Sequence, residues 1–237
     1  MPLVALLAGF PAAGLLPGQV PNAAPPDLND RGTFEVSVAG KSVGTETFEI
    51  RVRSDRIEAQ GDDHLSVEQK GKTLEVRTSS NLLLDSHLAP LSYTWSQKGA
   101  QSSQLSIDFR TQPVHARKTA NGQEDRRDFK LDKDVVVLDD NAIHQYQLAL
   151  ARYDQAKGGT QTFHAFIPQE ALPGVITLNA MGPETVPVNG DNRTLRRFLL
   201  TTELAQISLW IDDQGHLELV SMPAAQYQAV RKKGSVR

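Results

Sequence analysis

The sequence of 237 residues contains no cysteine. This absence excludes structural disulfides, a thiolate nucleophile and the acylated cysteine of a lipoprotein. The sequence also lacks a strong charge of either sign, because 25 Lys and Arg residues stand against 28 Asp and Glu residues, for a net charge of −3. Nucleic acid requires a concentrated basic surface, so we do not expect it to be a partner.

The motifs of common enzymes and metal sites are missing too. No serine lies in a G-x-S-x-G elbow, no glycine-rich phosphate loop is present, and none of the six histidines belongs to an H-E-x-x-H pattern. The sequence therefore predicts a non-enzymatic protein with no catalytic residues, no metal and no cofactor.

Two clusters of titratable residues nevertheless invite an acid–base interpretation. His64 follows Asp62 and Asp63, and His144 follows Asp140 and Asn141. A bulge or solvated turn explains the first cluster more simply. The second cluster has the composition of a helix N-terminus, where Asp and Asn cap the free N–H groups.

The first 31 residues differ from the rest of the chain. An apolar run from Leu3 to Leu16 has the length of a signal-peptide core and is too short to span a bilayer. Prolines follow it, although no basic residue precedes Arg31. We interpret residues 1–31 as an export signal, with an apolar, loosely ordered tail as the alternative. The expected location is periplasmic or secreted, and the protein is not expected to span a membrane.

Residues 32–237 are predicted to form a single β domain. Apolar and polar residues alternate from Gly32 onward, and turn signals such as Asn121-Gly122 separate the segments. In the first half, this alternation gives one apolar face and one very polar face. Such a pattern is typical of an antiparallel sheet with one side in water.

A single helix at about residues 141–157 interrupts the strands. Asp139, Asp140 and Asn141 offer capping side chains, and Gly158-Gly159 offers an end. The apolar residues within the segment recur at spacings of three and four, which predicts one apolar stripe. We expect this stripe to pack on the sheet.

The second half is apolar on both faces of its strands. One face can lie under the helix, and the other must face a core made by the curling sheet, a bound apolar ligand or a partner protein. Core packing is the simple explanation for its aromatic residues. As lining of a ligand-binding concavity, the candidates are Phe163, Phe166, Phe198 and Trp210 on these strands, together with Tyr93 and Trp95, which share one face of an earlier strand.

Three segments carry a resemblance to a known family. They are GTFEVSVAGKSVGTETFEI (Gly32–Ile50), VVVLDDNAIHQYQLALARYDQAKGG (Val135–Gly159) and ISLWIDDQGHLELVSMP (Ile207–Pro223). Together they resemble an uncharacterised family of exported bacterial proteins, described as domains of unknown function. That family is similar in architecture to periplasmic lipoprotein carriers of the LolA/LolB type. The resemblance implies a strongly curved, open antiparallel sheet with a helix packed on it and an apolar concavity, and it implies no catalytic residues.

The sequence thus predicts a mainly β fold, built as a large curved antiparallel sheet (a half-barrel or open barrel) with one packed helix. The leading functional hypothesis is a periplasmic or secreted binding protein that carries a lipid-like or other apolar ligand. The alternative is a protein–protein interaction or envelope assembly module that holds no small ligand.

Overall fold

The structure is a computed structural model that describes residues 27–69, 72–98 and 102–234. The predicted signal at residues 1–31 lies almost wholly outside the described residues. The first strand begins at Asp30, two residues before the predicted start of the domain.

The described residues fold into one sheet of fifteen strands, in the order β8-β7-β6-β5-β4-β3-β2-β1-β15-β14-β13-β12-β11-β10-β9. The predicted mainly β, open architecture is confirmed. The strands are β1 (Asp30–Val38), β2 (Lys41–Val52), β3 (Arg56–Gln69), β4 (Lys72–Asp85), β5 (Pro90–Lys98), β6 (Ser103–Asp108), β7 (Val114–Ala120), β8 (Gln123–Phe129), β9 (Val136–Val137), β10 (Thr160–Ile167), β11 (Leu172–Val188), β12 (Asp191–Thr201), β13 (Gln206–Ile211), β14 (Leu217–Met222) and β15 (Tyr227–Arg231). Every neighbouring pair is antiparallel except β9 and β10, which are parallel.

The sheet is strongly curled. Fifteen strands spaced about 4.8 Å apart would make a flat sheet about 67 Å wide. Only residues 130–135 join β8 at one edge to β9 at the other, and such a segment spans about 25 Å when fully extended. The edges therefore approach each other, and the rings of Phe129 and Phe166 lie with centroids 4.9 Å apart. The two edge strands do not pair, so the sheet remains open.

The helix α1 (His144–Ala151) lies inside the curl and contacts β3, β9 and β14. It is shorter than the predicted 141–157, because the chain leaves the helix at Arg152 and turns before Gly158-Gly159. The prediction that the helix buries a single apolar stripe is also wrong, since the polar side chains of His144, Gln145 and Gln147 are buried as well. A helix enclosed by a curled sheet has no solvent side on which to place polar residues.

In the first half of the chain the sheet has one apolar face and one polar face, as predicted. Inward-facing side chains such as Phe34, Phe48 and Ile50 are buried in the main core, while Glu35 and Arg51 on the same strands are exposed. The predicted Asn121-Gly122 hairpin is confirmed between β7 and β8, with both residues at positive φ.

A folded-back hairpin explains the two-sided apolar strands of the second half. The register of β11 and β12 shifts at Ala180/Gly182, and the far part of this hairpin covers the outer face of β13–β15. The amide of Asn189 at the hairpin turn donates to the carbonyl of Arg231 (2.7 Å). The covered side chains form a small second core of Val186, Val188, Leu195, Trp210 and Leu219.

The first and last strands meet through a buried ion pair. The guanidinium of Arg231 on β15 donates to both oxygens of Asp30 on β1, at 2.7 and 2.5 Å. Both residues are buried, with 3% and 4% exposure. Arg231 therefore belongs to the core, although the basic residues Lys232 and Lys233 follow it in the sequence.

We expect Arg231→Met to lower the free energy of unfolding by about 3–5 kcal/mol, because it leaves the Asp30 carboxylate buried without its partner. Replacing both members together, as Asp30→Leu with Arg231→Met, should restore most of this loss. Urea unfolding followed by circular dichroism measures both effects.

The exposed pair of Arg51 and Glu49 (2.6 Å) supplies a matched control. Arg51→Met should leave the free energy of unfolding almost unchanged, because water screens this exposed pair. An Arg231→Met variant no less stable than Arg51→Met would contradict the proposed role of the Asp30–Arg231 pair.

Candidate functional site

An apolar cavity of about 550 Å³ lies between the N-terminal end of α1 and the strands of the second half of the sheet. Small-molecule sites typically have volumes of ~300–1,000 Å³. Buried aliphatic side chains from the helix start and from β10 to β13 form its inner wall: Ile143, Ala165, Ile176, Leu200 and Ile207.

Exposed apolar side chains surround the opening of the cavity. Leu172 and Val175 on β11 are 42% and 43% exposed, and Leu204 in the β12–β13 turn is 82% exposed. The hydroxyl of Thr202 accepts the N–H groups of Leu204 (3.1 Å) and Ala205 (2.9 Å), which fixes the turn. Clustered exposed apolar side chains mark binding surfaces more often than single ones do.

The polar part of the cavity is organised around Asp139. One of its oxygens accepts the hydroxyl of Tyr93 (2.5 Å), and the other accepts the backbone N–H groups of Gln169 (3.0 Å) and Asp140 (3.1 Å). Burial raises the pKa of Asp139, and burial followed by the nearby Asp139 charge raises the pKa of Tyr93 well above its ordinary value. The Tyr93 hydroxyl therefore stays a donor, and it locks the loop before α1 to the core.

Only acidic groups carry charge on the described cavity wall, which includes Asp139, Asp140, Glu170 and Glu203 but no Lys, Arg or His. Partial burial, followed by the charges of Glu170 and Asp139, raises the pKa of Asp140 to about 6, although its side chain still reaches solvent at the rim. The mouth of the cavity is therefore negatively charged at neutral pH.

Two tyrosines line the cavity beside this acidic rim. Tyr146 projects from α1 and Tyr227 from β15, and both are partly buried. Burial raises the pKa of both residues, and the negative charges nearby raise it further. Both therefore present neutral hydroxyl groups.

Behind Tyr146, a buried carboxylate from the sheet caps the helix. Glu46 on β2 accepts the backbone N–H of His144 (3.1 Å) and the ring Nδ1 of the same residue (2.7 Å). Gly61 on β3 permits this approach, because a Cβ at that position would lie 2.6 Å from the His144 ring. A negative charge here also complements the helix dipole. The predicted local caps are not used, since α1 has no side-chain cap hydrogen bond of its own.

Asp63 extends this cluster along the concave face of the sheet. It lies opposite Glu46 in the β2–β3 register and accepts the hydroxyl of Thr78 (2.6 Å). Burial, followed by the Glu46 charge, raises the pKa of Asp63 to about 8. The prediction of a bulge or solvated turn at Asp62, Asp63 and His64 is wrong, because β3 pairs with β4 in regular register from Arg56 to Gln69.

The buried cluster and the cavity have different chemical roles. Glu46 and His144 are fully buried, and neither lines the cavity. A molecule in the cavity would instead meet aliphatic walls, two tyrosine hydroxyls and the rim carboxylates. The arrangement is suited to holding an amphiphile, while the buried pair holds the helix that forms part of the wall.

The structure places none of the six sequence-predicted binding residues on the cavity wall. Phe166 and Phe198 are buried in the main core, where Phe198 packs edge-on against Tyr153 with centroids 5.3 Å apart. Phe163 is partly buried against the same core. These three aromatic residues fill the interior, as the core-packing interpretation holds.

The other three predicted residues have separate environments. Tyr93 lies behind the cavity and reaches it through Asp139, whereas Trp95 is buried on the inner face of β5. Trp210 belongs to the outer core under the hairpin, and its indole N–H donates to Glu184 (3.0 Å). The structure therefore does not bring the six residues together.

The alternation of inward and outward residues along β2 and β3 is the sequence pattern that could have predicted the buried polar cluster. Glu46 has the same parity as Phe48 and Ile50 on β2, and Asp63 has the same parity as Ala59 on β3. A carboxylate at an inward position of an apolar face must find a buried partner. The rim residues lie in turns, where alternation gives no comparable signal.

A second concave surface lies on the outer face of β3–β8. It encloses about 580 Å³ and is lined largely by Ser, Thr, Asn and Gln side chains. This surface is the polar face predicted for the first half. Within the described ranges, no group of three or more His, Asp or Glu residues is arranged to hold a metal ion.

Comparison with known proteins gives one structural similarity. No protein-family profile matches the chain, and no curated protein matches it. A solved crystal structure of a DUF1089 family protein from Pseudomonas aeruginosa is 12% identical, covers 76% of this chain and 90% of that chain, and superimposes with a TM-score of 0.47. None of the helices in the described part of the chain is long and apolar enough to cross a membrane.

We expect Asp63→Asn to make stability less dependent on pH. The raised pKa of Asp63 means that its contribution to stability is fully present below pH 4 and is lost as the pH rises through about 8. The amide carries no charge, so at pH 9 the variant should be more stable than the parent by about 1–3 kcal/mol. Urea unfolding between pH 4 and 9 measures the difference.

The exposed neighbour Asp62 serves as the control. It bonds Ser79 on the outer face of the sheet, so Asp62→Asn should keep the parent's pH profile. Equal pH profiles for Asp63→Asn and the parent would contradict the proposed burial effect.

Proposed function

We propose that this protein binds a lipid-like, apolar molecule reversibly in the cavity between α1 and the late strands, without a covalent step. The observation that supports this proposal is the combination of an aliphatic interior of about 550 Å³ with an opening bordered by exposed Leu172, Val175 and Leu204. The exposure of apolar side chains to water at a rim is unfavourable, and this cost is removed when an apolar ligand covers them.

Burial of an apolar chain in the cavity would offset much of the free-energy cost of binding. Each buried methylene contributes ~0.8 kcal/mol, so ten methylenes contribute about 8 kcal/mol. This value lies within the ~4–15 kcal/mol lost in translational and rotational freedom on association. Contacts with the exposed rim and the tyrosine hydroxyls would then supply the net affinity.

The exported location remains part of the proposal. The apolar run Leu3 to Leu16 supports it. A periplasmic or secreted protein of this kind would shield an apolar molecule from water during its transfer. The open, acidic mouth gives that molecule a route in and out.

The protein–protein module stays as a second candidate because of Leu204. A leucine that is 82% exposed at the tip of a fixed turn is suited to insertion into a partner. The two candidates differ in one measurable way, since only the binding protein admits a small apolar molecule between α1 and β13.

We expect the neutral dye N-phenyl-1-naphthylamine to bind the parent protein, and Ala205→Trp to weaken its binding at least tenfold, which corresponds to about 1.4 kcal/mol. Ala205 lines the cavity, and an indole at this position would fill part of it. Dye fluorescence titration measures the affinity, and circular dichroism checks folding.

A matched substitution on another hairpin controls for the added bulk. Ala120 at the end of β7 does not line the cavity, so Ala120→Trp should bind the dye like the parent. Absence of dye binding by the parent, together with no lipid detected by native mass spectrometry of the purified protein, would contradict the proposed function.

A further inference from the structure

We propose that the cavity selects amphiphiles with a protonated amine head group over amphiphiles with a carboxylate head group. This inference rests on the proposed function, since it concerns the head group of a ligand whose apolar part fills the cavity. The observation behind it is the distribution of charge on the cavity wall.

The charged groups of the described wall all have the same sign. Asp140, Glu170 and Glu203 stand at the rim, and Asp139 lies deeper, where it already accepts three hydrogen bonds. The ion pairs formed within the described ranges include none of these carboxylates. Their charge therefore faces the opening without a bound cation from the protein.

Basic residues lie nearby on a different surface. Lys118 and Arg127 line a separate pocket of about 170 Å³ on the other side of the β10–β11 turn, and Glu170 borders both pockets. The Lys118 ammonium donates to the carbonyl of Gln169 (3.3 Å), and Lys118 lines this second pocket and not the apolar cavity. The charge at the mouth of the apolar cavity therefore comes from Asp140, Glu170 and Glu203.

The chemistry of the head groups follows from this arrangement. An ammonium group has three donors and no acceptor, so it can bond rim carboxylates and tyrosine oxygens together. A carboxylate head group would face like charges and would lose its water without gaining a cation. An alcohol head group is neutral, and its binding should be intermediate.

Binding of three amphiphiles of equal chain length tests the inference. Dodecylammonium and dodecanoate below their micelle concentrations, and dodecanol below its solubility limit, would displace N-phenyl-1-naphthylamine from the parent protein at pH 7.5 and constant ionic strength. We expect dodecylammonium to bind at least tenfold more tightly than dodecanoate. A triple variant, Asp140→Asn with Glu170→Gln and Glu203→Gln, should reduce this ratio to about two or less.

A second triple variant separates the cavity charge from the net charge of the protein. Glu35→Gln, Asp55→Asn and Asp213→Asn remove three exposed carboxylates that do not line the cavity. The ratio of dodecylammonium to dodecanoate affinity should stay at tenfold or more in this control. Circular dichroism melting verifies that both triple variants are folded.

The outcomes distinguish this inference from the proposed function. If none of the three amphiphiles displaces the dye, the proposed function itself is wrong. If dodecanol binds but dodecylammonium binds no more tightly than dodecanoate, the function stands and the inference is overturned. A ratio that persists in the cavity variant, or disappears in the control variant, also overturns it.

Discussion

The connection of residues 130–135 imposes the shape on which the rest of the structure depends. It carries the chain from β8 at one edge of the sheet to β9 at the other edge, and a flat fifteen-stranded sheet would be far too wide for it. The sheet must therefore curl. The helix α1 follows β9 and lies inside this curl, not on the outer surface of the sheet.

Enclosure explains the polar chemistry of the interior. An enclosed helix keeps its unpaired N-terminal N–H groups away from water, and these groups need buried acceptors. Glu46 meets this need for His144, and the side-chain oxygens of Gln145 and Gln147 accept the backbone N–H groups of Asp139 and Leu217. These contacts fix the helix against both halves of the sheet. They also fix the loop at residues 138–143, which forms one wall of the cavity.

The sequence supports prediction of the sheet far better than prediction of the site. Alternation in segments such as Phe34-Glu35-Val36 and the Asn121-Gly122 turn report local backbone geometry, and local patterns survive in the fold. The predicted helix, residues 141–157, was too long, because the spacing of its apolar residues does not show that the helix ends at Ala151. The partnership of Glu46 with His144 links residues 98 positions apart. Only the three-dimensional fold brings such residues together.

Two-sided apolar strands have two different causes in this molecule, and alternation cannot separate them. The side chain of Trp210 is buried on the outer face of the sheet because the β11–β12 hairpin folds over it. Leu209 on the same strand faces the main core. Neither cause requires a ligand. The cavity arises elsewhere, at the end of the curl where the β10–β11 and β12–β13 turns leave α1 incompletely covered. Binding surfaces commonly lie on such turns at the edge of a rigid scaffold, and here the scaffold leaves aliphatic walls open beneath an acidic rim.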